Sequence, residues 1–273
     1  GGTLMDRRRM LRTLGFGVAA IGMAACGANS ASSASSSSTT SAASAGGTSA
    51  ATSAATSAAG ASTEIPDETA GPYPGDGSNG PDVLEQSGIV RSDLRSSFGA
   101  STGTAEGVPM TLELTITDIA NGGVPFAGVA VYVWHCDRDG NYSMYAQAVQ
   151  DQNYLRGVQI ADTNGVVRYT SIFPACYSGR WPHIHFEVYP DQASITDATN
   201  AIATSQVALP EATCNEVYAQ SGYEASVNNL RQVTLQSDNV FGDDGGIHEL
   251  GTATGDVTNG YSVSLAVGVD TTT

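Results

Sequence analysis

Between residues 64 and 273 the apolar positions fall into short runs with a period of two rather than the three-to-four spacing of an amphipathic helix. Thr111-Leu-Glu-Leu-Thr-Ile-Thr117 alternates cleanly, the mark of a strand with one face buried. Gly128 to Trp134, Val166 to Ile172, His183 to Tyr189 and Tyr261 to Val269 also read as strands, being short, rich in β-branched and aromatic residues, and bounded by turn residues. Asn164-Gly165 and Asn259-Gly260 carry hairpin chemistry, because both residue types tolerate positive φ. Helical periodicity is weak and confined to the neighbourhood of Leu84 and to Cys214 through Leu230. Strands separated by turns, with little helix, predict an all-β fold: an antiparallel β-sandwich with long loops and a few short helices. About 210 residues are enough for one sizeable core.

The pattern fails before residue 64. Arg7-Arg-Arg-Met-Leu-Arg12 precedes a Gly/Ala-rich apolar run from Leu14 to Ala25, too short to span a membrane and suited to the core of a signal peptide. The paired arginines resemble a twin-arginine export signal, a route that carries folded proteins and so allows metal loading before export. Met23-Ala-Ala-Cys26 resembles a lipoprotein cleavage box, which would make Cys26 the lipidated first residue; simple cleavage and free secretion is the alternative. Gly27 to Thr63 is almost entirely Ser, Ala, Thr and Gly, with nothing to bury against the entropy of ordering. The expected organisation is therefore a signal peptide with a lipobox cysteine at 1–26, a disordered tether at 27–63 and a β-sandwich domain at 64–273. The location expected is extracytoplasmic, with membrane contact only through the anchor at Cys26.

Charge narrows the function. The chain of 273 residues has 11 arginines, no lysine, 27 acidic residues and a formal net charge of -16. Such a balance excludes nucleic-acid binding by a basic patch. It would also repel anionic substrates unless the pocket itself were positive.

The most informative chemistry lies in Tyr177-Ser-Gly-Arg-Trp-Pro-His-Ile-His-Phe186. In a strand, His183 and His185 leave the same face, so both imidazoles can reach one point while Ile184 and Phe186 pack behind them. Tyr177 stands six residues upstream, and Tyr142 ends a second stretch, Trp134-His-Cys-Asp-Arg-Asp-Gly-Asn-Tyr-Ser143, where an apolar strand runs into a Gly turn. Two imidazole nitrogens and two phenolate oxygens form a hard, electron-rich set that favours a trivalent ion over zinc, and the ion implied is Fe(III).

These segments resemble the intradiol ring-cleavage dioxygenases. The resemblance runs through Glu68-Thr-Ala-Gly-Pro-Tyr-Pro74, Arg91-Ser-Asp93, Val131 to Asp137, Gly140 to Ser143, Leu155-Arg-Gly157, Ser171-Ile-Phe-Pro174 and Arg180 to Phe186, and ends near Thr204 to Pro210. It implies one Fe(III) per chain, held by Tyr142, Tyr177, His183 and His185, and cleavage of catechol-type rings between the hydroxyl-bearing carbons with O2. Tyr177 would be the ligand displaced by substrate, and Arg180 would stabilise the negative charge that develops as O2 adds. Tyr73 is a candidate wall of the substrate pocket. Gln206 falls where the family has a glutamine behind the ligands and is counted with the substrate site. The helical amino-terminal region through which catechol-cleaving members dimerise has no counterpart here, so oligomeric state is left open.

Three cysteines besides Cys26 form an odd set for an oxidising compartment. A Cys176–Cys214 bridge would tie two active-site segments together and leave Cys136 free; Cys136–Cys176 is the competing pair. His135 is expected to be a structural histidine, His248 to be solvated, and Arg156 and Asp162 to serve the framework. The functional alternative is a tethered β-sandwich that binds a surface partner without catalysis.

Overall fold

The computed structural model describes residues 61–272. The proposed signal peptide, Cys26 and nearly all of the tether lie outside them. Two sheets face each other. The first contains β1 (Pro109–Asp118), β2 (Val124–Pro125), β5 (Val166–Ile172), β8 (Thr252–Asp256) and β9 (Gly260–Val269); the second runs in the order β4 (Arg156–Ile160), β3 (Ala130–Trp134), β6 (His183–Tyr189) and β7 (Ala203–Ala208). Long loops join them, and the helices are short: α1 (Glu211–Tyr218) and α2 (Glu224–Leu230). The all-β sandwich expected from the sequence is the fold observed.

Pairing departs from expectation in one respect, since β1 and β9 run parallel while the other named strand pairs are antiparallel. Most of the domain lies between β1 and β9 in the chain, which supplies the long crossover that a parallel pair requires. Asn259-Gly260 does close the β8–β9 hairpin. Asn164-Gly165 instead turns the chain from β4 in one sheet to β5 in the other. The helical stretch expected at Cys214 to Leu230 is broken into α1 and α2 around Gly222, and no helix forms at Leu84.

Between the sheets, Leu112, Leu114 and Ile116 of β1 and Val263 and Val267 of β9 pack with Val131 and Val133 of β3 and with Ile184, Phe186 and Val188 of β6. The alternate residues of β3 and β6 point the other way. Tyr132, Trp134, His183, His185, Glu187 and Tyr189 lie on the outer face of the second sheet, yet all are buried, because the loops carrying Val83, Leu84, Ile89, Tyr142 and Ala175 cover that face. A half-buried sheet thus becomes a two-sided one, and its second interior is lined by polar and aromatic groups. The site forms there.

Candidate metal and active site

Each donor reaches the site for a local reason. His183 and His185 project from the same face of β6, as the period of a strand requires. Tyr142 follows a tight turn organised by Asp137, whose Oδ1 accepts from the backbone N–H groups of Asp139 and Asn141 at 3.0 and 2.8 Å. The Asp137 carbonyl also accepts from the N–H of Ala175 at 3.1 Å, joining this turn to the segment that bears Tyr177. Gly140 (φ 87°) lets the two segments close: a Cβ there would stand 3.3 Å from that of Tyr177.

Four atoms converge. Tyr142 Oη lies 3.4 Å from Tyr177 Oη and 3.3 Å from His183 Nε2, which is 3.1 Å from Tyr177 Oη and 3.2 Å from His185 Nε2. Donors about 2.0–2.2 Å from a shared ion stand roughly 3–3.5 Å from one another, so the spacing fits a single ion.

The electrostatics agree. Burial, and then Arg180, press the His183 pKa from the ordinary 6.5 to about 3; burial, and then His183, push that of His185 well below the ordinary value. Both rings are neutral at physiological pH and offer lone pairs. Burial raises the Tyr177 phenol to about 12, and burial followed by the proximity of Tyr177 raises Tyr142 well above the usual range. Only a strongly charged cation would strip these phenols of their protons near neutral pH. Among the described residues no group of three or more His, Cys, Asp or Glu side chains could hold an ion, so the phenols are essential to any metal site here.

Arg180 stands beside the cluster, Nη1 3.5 Å from His183 Nε2. Its orientation is set by two residues. Nε donates to Asp238 Oδ2 at 2.9 Å and Nη2 to Gln206 Oε1 at 2.7 Å, while Gln206 Nε2 donates to the Thr69 carbonyl at 2.9 Å. Gln206 is therefore fully buried with both ends of its amide engaged, one of them on Arg180. Tyr73 is 40% exposed, and its ring centroid lies 5.1 Å from that of Tyr142. On the same side Glu68 is pushed up to about 7, first by burial and then by Asp243 and Asp244, against the pull of Arg180.

Sequence reasoning missed Asp238, which lies 58 residues from Arg180 with no spacing to connect them. It also left the turn-organising role of Asp137 unassigned. The framework reading of Arg156 holds: buried, it donates to Ser143 Oγ and O, Tyr132 Oη, and the carbonyls of Tyr73 and Pro74, fixing the segments on both sides of Tyr142. His135 is structural, bonded to the Cys136 carbonyl and Ser171 Oγ at 2.7 Å each, and His248 is exposed. The disulfide requires correction. Cys136, Cys176 and Cys214 are all free and buried, and the Cys176 thiol is turned onto the carbonyls of Arg180 and Tyr177, at 3.5 and 4.0 Å, rather than into a bridge.

Comparison with known proteins converges on the same class. Residues 79–185, which include all four donors, match the dioxygenase family model. The chain is 40% identical over 55 residues to a chlorocatechol 1,2-dioxygenase of Rhodococcus opacus, a match covering 20% of this chain and 21% of that protein. It is 36% identical over 72 residues to a catechol 1,2-dioxygenase of Pseudomonas sp. (strain EST1001), covering 26% of this chain and 23% of that one. The matched segments thus span less than a quarter of either relative. In fold it is similar to an intradiol ring-cleavage dioxygenase from Tetranychus urticae, with TM-score 0.58 and 22% identity, covering 76% of this chain and 94% of that chain. Over these matched segments the chain is similar to catechol and chlorocatechol 1,2-dioxygenases, and its fold is similar to that of an intradiol ring-cleavage dioxygenase.

Proposed function

We propose that this protein is an Fe(III) dioxygenase that opens catechol-type rings between the two hydroxyl-bearing carbons, incorporates both atoms of O2 and releases a muconate-type dicarboxylate. The observation that carries the proposal is the convergence of Tyr142, Tyr177, His183 and His185 within 3.1–3.4 Å of their neighbours. When bound, Fe(III) supplies the Lewis acidity that draws electron density from a chelating catecholate and makes a ring carbon reactive toward O2.

The surrounding residues have separable tasks. Tyr142 is buried among the other donors and would hold the ion as a phenolate. Tyr177 is only half-buried; with the other three donors it would hold the ion, and its Oη would be the group to accept a catechol proton. Arg180, held by Asp238 and Gln206, keeps a guanidinium beside the reacting ring, where it stabilises charge that appears only in the transition state. Tyr73 closes the pocket and orients the ring. Because Asp238 meets the charge of Arg180 while Asp243 and Asp244 add negative charge alongside, rings without a carboxylate are the favoured substrates. We further propose export through Arg7-Arg8 and anchoring at Cys26, supported by the sequence of residues 1–26 alone.

The test is metal content, visible absorption and oxygen uptake over a panel of substituted catechols. About one iron per chain, a broad tyrosinate-to-iron band and ring-opened product are expected. A colourless, metal-replete protein that turns over without O2 would refute the proposal.

A further inference from the structure

The two histidines of the cluster are held by different means. His183 is fixed by a hydrogen bond, its Nδ1 donating to the Trp181 carbonyl at 2.5 Å, so that the Nε2 lone pair faces the other donors. His185 has no such bond. Its Nδ1 is buried without a hydrogen-bond partner. A ligating imidazole ordinarily uses its second nitrogen on a carboxylate, carbonyl or water, which sets both tautomer and ring rotation. What holds the His185 ring instead is an aromatic plane. Trp134, its cross-strand partner on β3, stacks against it with centroids 4.8 Å apart and an interplanar angle of 5°. Tyr132, two residues earlier on the same face, extends the stack at 4.9 Å and 20°. The indole Nε1 is itself buried without a partner, so Trp134 is held in place by packing. Gly71 closes on the imidazole edge: with φ 70° it sits so near that a Cβ would lie 3.5 Å from His185 Cε1.

We infer that Trp134 is a positioning residue for His185, its indole face doing for this ligand what the Trp181 carbonyl does for His183; the inference rests on the reading of the four donors as an iron site. With no acceptor on its Nδ1–H, the aim of His185 at the ion depends on the stack.

Two variants of the full chain test this. Trp134→Leu keeps an apolar side chain and removes the ring face, while Trp134→Phe keeps a smaller face. In the metal-free protein, the His185 Cε1–H resonance should lose its ring-current shift in the Leu variant and move partway in the Phe variant. Iron release to a hydroxamate chelator should quicken by about tenfold or more in Leu, the scale for losing an outer partner of a metal ligand, and by less in Phe. If the Leu variant does not fold, the partial changes in Phe carry the test. Folded variants with wild-type resonance and wild-type iron release would overturn the inference. If the resonance moves as expected but the wild-type protein binds no iron, the stack stands and the iron reading falls.

Discussion

Asp238 offers the most measurable perturbation. Its buried carboxylate accepts from Arg180 Nε at 2.9 Å and from the backbone N–H groups of Trp181, Val240 and Phe241 at 2.6, 2.8 and 3.1 Å. Asp238→Asn preserves the shape, but either orientation of the amide sets its NH2 against two of these donors, and both remove the negative charge paired with Arg180, whose side chain is only 13% exposed. Removing one member of a buried pair costs about 3–5 kcal/mol, and because Arg180 retains Gln206 and some access to water, the lower figure of about 3 kcal/mol is expected. At roughly 2–4 °C per kcal/mol for a domain of this size, the melting temperature should fall by about 6–12 °C. The pH dependence has a definite sign. Burial would raise the Asp238 pKa, but the Trp181 N–H and Arg180 outweigh it and hold the group below its ordinary value. A carboxylate depressed in the folded state contributes stability above its unfolded pKa, about 3.9, and loses it as pH falls through the folded value. The gap between wild type and variant, followed by urea unfolding of the metal-free protein at stepped pH, should be full at neutral pH and close below about pH 4. A neutral-pH gap under about 1 kcal/mol, or one that widens on acidification, would refute the assignment.

Arg180→Ala should retain iron and still shift the visible band on adding catechol, while turnover falls on the order of 10²-fold, the scale for losing one preorganised stabiliser; near-wild-type turnover would remove Arg180 from the mechanism. Tyr142→Phe and His183→Ala each delete a donor, so metal analysis and absorption spectra should show iron lost or the band displaced; unchanged spectra would assign the ion elsewhere. Replacing Arg7 and Arg8 together by Lys should hold the precursor in the cytoplasm on cell fractionation, and Cys26→Ser should abolish lipid attachment; normal export of the double variant would point to the general secretory route.

What the sequence could reveal was set by whether the information is local. A strand's two-residue period is local, and so β5 and β6 appear at their observed bounds and the two histidines on one face. The strands it hid are those whose side chains lack that contrast: β8, Thr-Ala-Thr-Gly-Asp, is largely exposed, and β4, Arg-Gly-Val-Gln-Ile, begins with the buried Arg156. The four donors were legible because Tyr177 to His185 and Trp134 to Tyr142 each occupy one short stretch with a recognisable order. Their supports were not. Asp238 meets Arg180 across 58 residues, and Gln206 takes its place by strand register opposite His185. The expected disulfide failed for the same reason, since spacing cannot say where a thiol points, and Cys176 turns onto neighbouring carbonyls. Burial of the outer sheet face was the least legible feature, because it depends on the loops that carry Val83, Leu84, Ile89 and Tyr142 folding back over β3 and β6. That covering gives the site its chemistry: uncovered, the imidazoles and phenols would be solvated and would titrate near their ordinary values, while beneath the loops burial keeps both rings neutral and both phenols protonated.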